Sequence, residues 1–332
     1  MARYILKRLL LMIPVILGVS ILIFTIMYFA PGDPAEVILG GNATKEQYAE
    51  LREKLGLNRG YFERLFEYLK NVFLKFDFGT SYVSGASVSR EILTRFPRSL
   101  LIAFISMIIT LAAGIPLGIT AATHRNKAGD YATMLFSLVG VSMPGFWVGQ
   151  MLQVLFAVYL AILPFGGYAV GHAEYYVLPC VAASIGGIAS IARQTRSSML
   201  EVIRADYITT ARAKGQTEHA VLYRHALKNA LIPVITSAGM SFGITMGGAL
   251  VIETVFALPG LGMYIVSGIN GRDYPVVQGG IIFISIAFSL VMLLVDLVYA
   301  FVDPRIKTQY QGEHKKRSKA GKNKAAAGEG AA

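Results

Sequence analysis

The sequence predicts an all-α membrane protein with six transmembrane helices, on three observations. Of its 332 residues, 54% are hydrophobic and only 15% charged, with a mean hydropathy of +0.54, an apolar excess that soluble domains do not carry. Six segments contain no Asp, Glu, Lys or Arg: 9–30, 99–123, 131–173, 175–192, 229–252 and 274–295. Each is about long enough, at roughly 1.5 Å per helical residue, to cross a hydrocarbon layer of about 30 Å. Third, the basic residues gather in alternate connections, as the positive-inside rule requires. This balance excludes a soluble enzyme, a disordered scaffold and a disulfide-stapled domain, since Cys180 is the single cysteine.

The spans follow in order. The first, about 9–30, comes after Arg3, Lys7 and Arg8 like the head of a signal peptide, but it is too long and ends in Ala30-Pro31-Gly32-Asp33-Pro34 without a small-residue cleavage site. A retained anchor is expected. The second covers about 99–123. The run 131–173 is too long for one crossing, and Leu163-Pro164-Phe165-Gly166-Gly167 is a turn signal. The third helix is therefore placed at about 133–162 and the fourth at about 177–196, with the fifth and sixth at about 231–253 and 279–302. Lys and Arg number 3 before the first span, 2 in 124–130, 7 in 193–230 and 8 after 302, against Arg272 alone in 163–176 and 253–278 together. Both termini are expected in the cytoplasm of a multi-pass inner-membrane protein. The net charge of +11 then has a topological cause, and the tail with Lys315-Lys316-Arg317 suits anionic membrane lipid, with no nucleic acid as partner.

Four regions result: 1–30, the N-terminus and first helix; 31–98, an extracytoplasmic loop; 99–302, a five-helix core that includes a cytoplasmic segment at 193–230; and 303–332, a basic tail too poor in large apolar residues to fold. In the loop, Thr44-Lys45-Glu46-Gln47 fits a capping box, Tyr48, Leu51 and Leu55 share a face, Gly56 can close that helix, and Tyr61, Leu65, Tyr68, Leu69 and Val72 repeat the spacing. Two amphipathic helices on the membrane surface are expected, which equally suits a docking surface for an extracytoplasmic partner. In the cytoplasmic segment, helix formers run from Met199 to Lys214, Gly215 suits a helix end, and Thr217 can cap a second helix to about Ala230. Two short helices at a sharp angle would form a compact basic knob, although periodicity alone also fits an ordinary amphipathic connector.

That segment, Asp206-Tyr207-Ile208-x-Thr210-Ala211-Arg212-Ala213-Lys214-Gly215 followed by His225-Ala226-Leu227-Lys228-Asn229-Ala230-Leu231-Ile232-Pro233, resembles the coupling loop of the dipeptide/oligopeptide/nickel permeases of ABC importers. Further blocks are similar in the same order, to about residue 307: Ala30-Pro31-Gly32-Asp33-Pro34, Ser142-Met143-Pro144-x-Phe146-Trp147, Arg193-x-Thr195-Arg196-Ser197-Ser198-Met199-Leu200-Glu201-Val202, Glu253-Thr254-Val255-Phe256-x-Leu258-Pro259-Gly260-Leu261-Gly262, Arg272-Asp273-Tyr274-Pro275-Val276-Val277-Gln278-Gly279 and Asp303-Pro304-Arg305-Ile306. The broader importer pattern, E-A-A-x-x-x-G and then a Pro, departs here to Thr209, Thr210 and Ala211, with Lys228 at the Pro. This is similar to the peptide/nickel variant and argues against sugar, phosphate and amino-acid importers. The resemblance implies a type I ABC importer permease (MetI-like) fold, a second homologous permease subunit, two ATPase subunits or one used twice, and an extracytoplasmic substrate-binding protein. It implies short peptides as cargo, with nickel or a nickel chelate as the alternative.

No G-x-x-x-x-G-K-[ST] occurs, so the chain has no loop to cradle phosphates. It is expected to be a pore subunit and not an enzyme, without a cofactor of its own, ATP and Mg being bound by the partner ATPases. The five histidines (124, 172, 219, 225 and 314) form no metal-ligand pair, and neither H-E-x-x-H nor a nucleophile elbow is present. An ion-coupled secondary transporter, the remaining rival class, would call for inverted repeats and midplane charges. By resemblance, coupling to the ATPase falls to Asp206, Thr210, Ala211, Arg212, Ala213, Lys214 and Gly215. Arg212 and Lys214 would be open to acidic groups, Ala211 would allow close approach, and Gly215 would turn the chain. ATP-driven closure would then move the knob and its spans as a lever.

Pathway and gate candidates come from breaks and charges in the spans. Pro144 frees a backbone carbonyl and Phe146 stands beside it, while Pro116 and Gly186-Gly187 suggest further breaks. Gly243 belongs to a set (239, 243, 247) whose four-residue spacing close helix packing explains equally well. Glu253 and Asp296 are carboxylates near span ends, Glu253 suiting a gate or a subunit contact and Asp296 also an interfacial partner for a cytoplasmic Arg. Pro259 and Gly260 lie in a tight turn near the external mouth.

Overall fold

A computed structural model describes residues 2–40 and 43–302, and among them every regular element is a helix apart from an isolated antiparallel bridge between Thr80 and Ser87. The expected basic tail, with Asp303-Pro304-Arg305-Ile306, lies outside the described residues. Among the described residues, five helices are long and apolar enough to cross a membrane: α1 (Ala2–Phe29) within Ile5–Phe29, α5 (Val88–Thr123), α8 (Glu174–Val202), α10 (Glu218–Val255) and α12 (Tyr274–Val302) within Tyr274–Val298. Between α1 and α5 lie the short helices α2 (Pro34–Leu39), α3 (Lys45–Lys54) and α4 (Tyr61–Leu74).

The third span differs from its expected form. It is a pair, α6 (Ala128–Ser142) and α7 (Gly145–Tyr159), bent by 103°. Met143 leaves helical geometry at φ −83°, ψ 125° and Pro144 follows at φ −62°, ψ 133°. The proline ring disfavours the helical conformation of the residue before it, so the helix ends where the sequence places Pro144. Pro116 and Gly186-Gly187, also expected to break their spans, sit inside unbroken α5 and α8. Gly187 also allows close contact, since a Cβ there would lie 2.7 Å from Thr110 Oγ1.

α5 against α8 is the most extensive helix contact, and small residues allow it. A Cβ on Gly118 would lie 2.5 Å from the Ala192 carbonyl oxygen, and one on Gly114 2.9 Å from Ile191 Cγ2. The Ser106 hydroxyl donates to the Cys180 carbonyl at 3.1 Å across the same seam. Without a hydrophobic drive between helices in lipid, such close packing and interhelical hydrogen bonding hold a bundle together.

At one end of the bundle, the knob end, α8 stops at Val202 and α9 (Asp206–Ala213) begins after an extended Ala205 (φ −71°, ψ 147°). The expected continuous helix from Met199 to Lys214 is thus two helices. Thr217 caps the next helix by accepting from Ala220 N at 3.3 Å, but that helix does not end near Ala230. It runs on as α10, through a wider π turn at Val221–Ala226, and becomes the fifth span. At the other end, the loop end, Thr44 and Gln47 form the expected reciprocal capping box. α4 lays Tyr61 among Phe24, Tyr28 and Phe29 of α1, with ring centroids 5.1–6.0 Å apart. A last short helix, α11 (Leu261–Asn270), packs between α10 and α12.

Candidate functional site

The knob is welded to three spans. Ile208 and Ala211 of α9 pack with Ile119 and Ala122 of α5, Met199 of α8, and Val221, Ala226 and Ala230 of α10. Ala211, expected to let a partner approach closely, is instead buried at 8% exposure; its small side chain lets α9 approach the knob's own core. Arg212, expected to be open to acidic groups, is held by Glu218, with Nε donating to Oε1 at 2.7 Å. That hydrogen bond also raises the guanidinium's pKa above its ordinary value. Asp206, Thr210, Ala213 and Lys214 are exposed. Gly215 turns the chain at φ +75°, a conformation that favours glycine. The exposed surface also carries two tyrosines, Tyr207 and Tyr223, 45% and 49% exposed. Tyr223 stacks on His219 and Tyr207 accepts from Asn229 Nδ2 at 2.9 Å. Rigid aromatic groups of this kind are enriched at protein interfaces, and Tyr207 lies within the Asp206–Gly215 motif.

A clamp beside the knob escaped sequence reasoning. Asp130, in the first turn of α6, is 2% exposed and accepts from both Nε and Nη2 of Arg196 on α8, the latter at 2.8 Å, and from Asn126 N at 2.9 Å. The available signal was an Asp immediately before the longest charge-free run, together with an Arg in a quoted block.

The break in the third span opens a cavity of about 450 Å³ between α6, α7, α8 and α10. Met143, Gly145 and Phe146 line it from the break, Ala183 and Gly187 from α8, and Thr245 from α10. Pro144 shapes this wall as the residue between two of them. Its rim is open: Phe146 is 46% and Ile244 71% exposed. Gly243 lies elsewhere. A Cβ there would sit 2.3 Å from Phe288 of α12, as one on Gly239 would sit 2.2 Å from Val295, whereas Gly247 has open space around it. The pathway assignment of Gly243 is therefore corrected to helix packing.

Glu253, Pro259 and Gly260 form a fastening at the loop end. Glu253 is fully buried and its Oε2 accepts from Met263 N in the first turn of α11 at 3.0 Å. Gly260 leaves room for that carboxylate, since a Cβ would fall 2.3 Å from its carbon. The Pro259 carbonyl accepts from Arg98 at 2.9 Å, Ser99 Oγ accepts from Leu261 N at 2.8 Å, and Gln153 Nε2 donates to the carbonyls of Phe165 and Val255 at 2.7 and 3.1 Å. These contacts tie α5, α7 and the turn after α10 together, so the three residues expected at an outer gate are held rather than free. Asp296 is likewise away from the cavity and pairs with Arg8 at 3.1 Å, joining α12 to α1.

Comparison with known proteins agrees with this architecture. Residues 114–308 match the family described as "Binding-protein-dependent transport system inner membrane component", and residues 1–103 match its N-terminal companion family. A dipeptide transport system permease protein of Alkalihalophilus pseudofirmus is 41% identical over 333 residues, covering 92% of this chain and 100% of that protein. A glutathione transport system permease protein of Salmonella typhi is 41% identical over 307 residues, covering 92% and 99%. The MetNI methionine ABC transporter, solved in inward-facing conformations, matches in fold with a TM-score of 0.56 at 19% identity, over 64% of this chain and 96% of that one. With family matches over nearly all of its length and relatives of this identity, the chain belongs to the inner membrane permease components of binding-protein-dependent ABC transport systems.

Proposed function

We propose that this chain is one of two permease subunits of an ABC importer that carries short peptides into the cell, with both termini in the cytoplasm. Energy comes from partner ATPases that seat the exposed face of the 206–215 knob, and an extracytoplasmic binding protein delivers cargo at the loop end. The observation that carries this reading is the end-to-end likeness to permeases named for dipeptide and glutathione transport. The positive-inside bias of the short loops supports the orientation. The welded knob supports the coupling, because a push on α9 reaches α5, α8 and α10 through one buried cluster.

The test is substrate-stimulated ATP hydrolysis in proteoliposomes that hold the whole complex, with binding protein and di- to pentapeptides, comparing wild type with Gly215→Pro. Proline cannot adopt a positive φ, so the variant is expected to assemble and to lose both stimulation and uptake. Stimulation by a nickel complex and not by peptides would replace the cargo, and uptake without any ATPase would overturn the importer reading.

A further inference from the structure

Resting on the peptide reading above, we propose that Arg193 is the residue in the cavity that holds the carboxylate of a passing peptide. The cavity face of α8 runs through Ala183, Gly187, Ser190 and Arg193 at helical spacing, and Arg193 is the one charged side chain among the described residues that line it. Its neighbours there are apolar groups, glycines and the hydroxyl residues Ser190, Ser241 and Thr245. One turn further along, Arg196 is committed to Asp130. Among the described residues no carboxylate forms an ion pair with Arg193.

Arg193 opens the basic segment 193–230, so it stands at the knob end of the cavity with its side chain exposed. An exposed guanidinium with no ion-pair partner among the described residues, beside an apolar wall, offers its charge to a carboxylate that enters the cavity. A peptide presents such a group at its C-terminus, and that group loses hydration in a cavity of this polarity unless a cation meets it. Side chains on a helix lean toward its N-terminus, which directs Arg193 over Ser190 and into the cavity rather than toward the knob. The smaller stripe at Ala183, Gly186 and Gly187 leaves space for the remainder of the peptide, so the site takes the common carboxylate and leaves side chains unread.

The experiment measures uptake of one tripeptide and its C-terminal amide into proteoliposomes holding the full complex, at saturating loaded binding protein, for wild type, Arg193→Gln and Arg193→Lys. The expected result is a loss in kcat of about tenfold or more for the free acid with Arg193→Gln, a smaller loss for the amide, unchanged KM for the loaded binding protein, and substantial recovery with Arg193→Lys. Equal losses for acid and amide, or no recovery with lysine, would assign Arg193 to assembly and overturn the proposal. Wild-type rates in Arg193→Gln would overturn it as well, while leaving peptide import standing. Should the wild-type complex move no peptide, the peptide reading falls and this inference with it.

Discussion

Removing the Asp130 carboxylate strips Arg196 of both its hydrogen bonds to α6 and leaves a guanidinium 22% exposed at its side chain. Breaking an enclosed ion pair by deleting one partner costs about 3–5 kcal/mol. Water reaches part of Arg196, so Asp130→Ala is expected nearer 2–3 kcal/mol. The converse change is harsher, because Asp130 is 2% exposed and keeps only Asn126 N as a donor; Arg196→Met is expected to cost about 3–4 kcal/mol. The double variant buries no charge and retains the methionine's packing, which places it about 3 kcal/mol below wild type and gives a coupling energy of about 3 kcal/mol. Unfolding of the purified chain in mixed micelles titrated with SDS reads this directly, since Trp147 is the single tryptophan and lies in the first turn of α7 beside the break. If the single costs add up to the double within about 0.5 kcal/mol, Asp130 and Arg196 do not act as a pair and the clamp is refuted.

Gly118→Ala is expected to lower stability by about 3 kcal/mol in the same titration, because the new methyl meets the Ala192 carbonyl oxygen at 2.5 Å; an unchanged midpoint would mean that α5 and α8 are less closely packed. Gly260→Ala pushes the Glu253 carboxylate off Met263 N, at a cost of about 2–4 kcal/mol, and should make the 256–273 segment sensitive to protease in right-side-out or inverted vesicles. Cys180 is 1% exposed, so a membrane-permeant maleimide should label it slowly in native membranes and quickly after SDS; rapid native labelling would place it at an accessible wall.

Which features were legible in the sequence follows from the range of the interaction involved. The capping box at Thr44, the cap at Thr217 and the turn at Gly215 depend on neighbours a few residues away, and the structure places them where the sequence does. Pro144 is legible as a helix breaker and a pathway candidate, but the 103° bend at that point depends on what α7 packs against, which no local pattern states. The glycines show the same limit. Four-residue spacing marked 239 and 243 as contact positions, yet nothing in it says that the contact is with Val295 and Phe288 rather than with a cavity. Ala211 and Arg212 were legible as a motif and illegible as geometry, because burial of the first and capture of the second by Glu218 arise only when α9 folds back on α10. The Asp130–Arg196 clamp spans 66 residues and was invisible for that reason.

The knob can work as a lever only if it is stiff, and stiffness can be separated from contact. Ile208 is fully buried in the cluster that joins α9 to α5, α8 and α10, whereas Tyr207, Thr210, Lys214 and Tyr223 form the exposed face. Ile208→Ala removes packing at the root of α9 at a cost of about 2–5 kcal/mol and leaves the exposed face unaltered. Under the proposed coupling, the complex should still assemble with its ATPases and hydrolyse ATP, while the number of peptides moved per ATP falls, because closure of the ATPases is absorbed by movement of α9 within the knob. Tyr223→Ala should do the reverse, weakening assembly with little change in the stability of the chain, since this side chain is half exposed. Co-purification yields and transport-to-hydrolysis ratios for the two variants discriminate these effects. A destabilised Ile208→Ala that keeps the wild-type ratio would show that force does not pass through this cluster, and the path from ATPase to pore would then have to run along the chain itself, into α8 and α10.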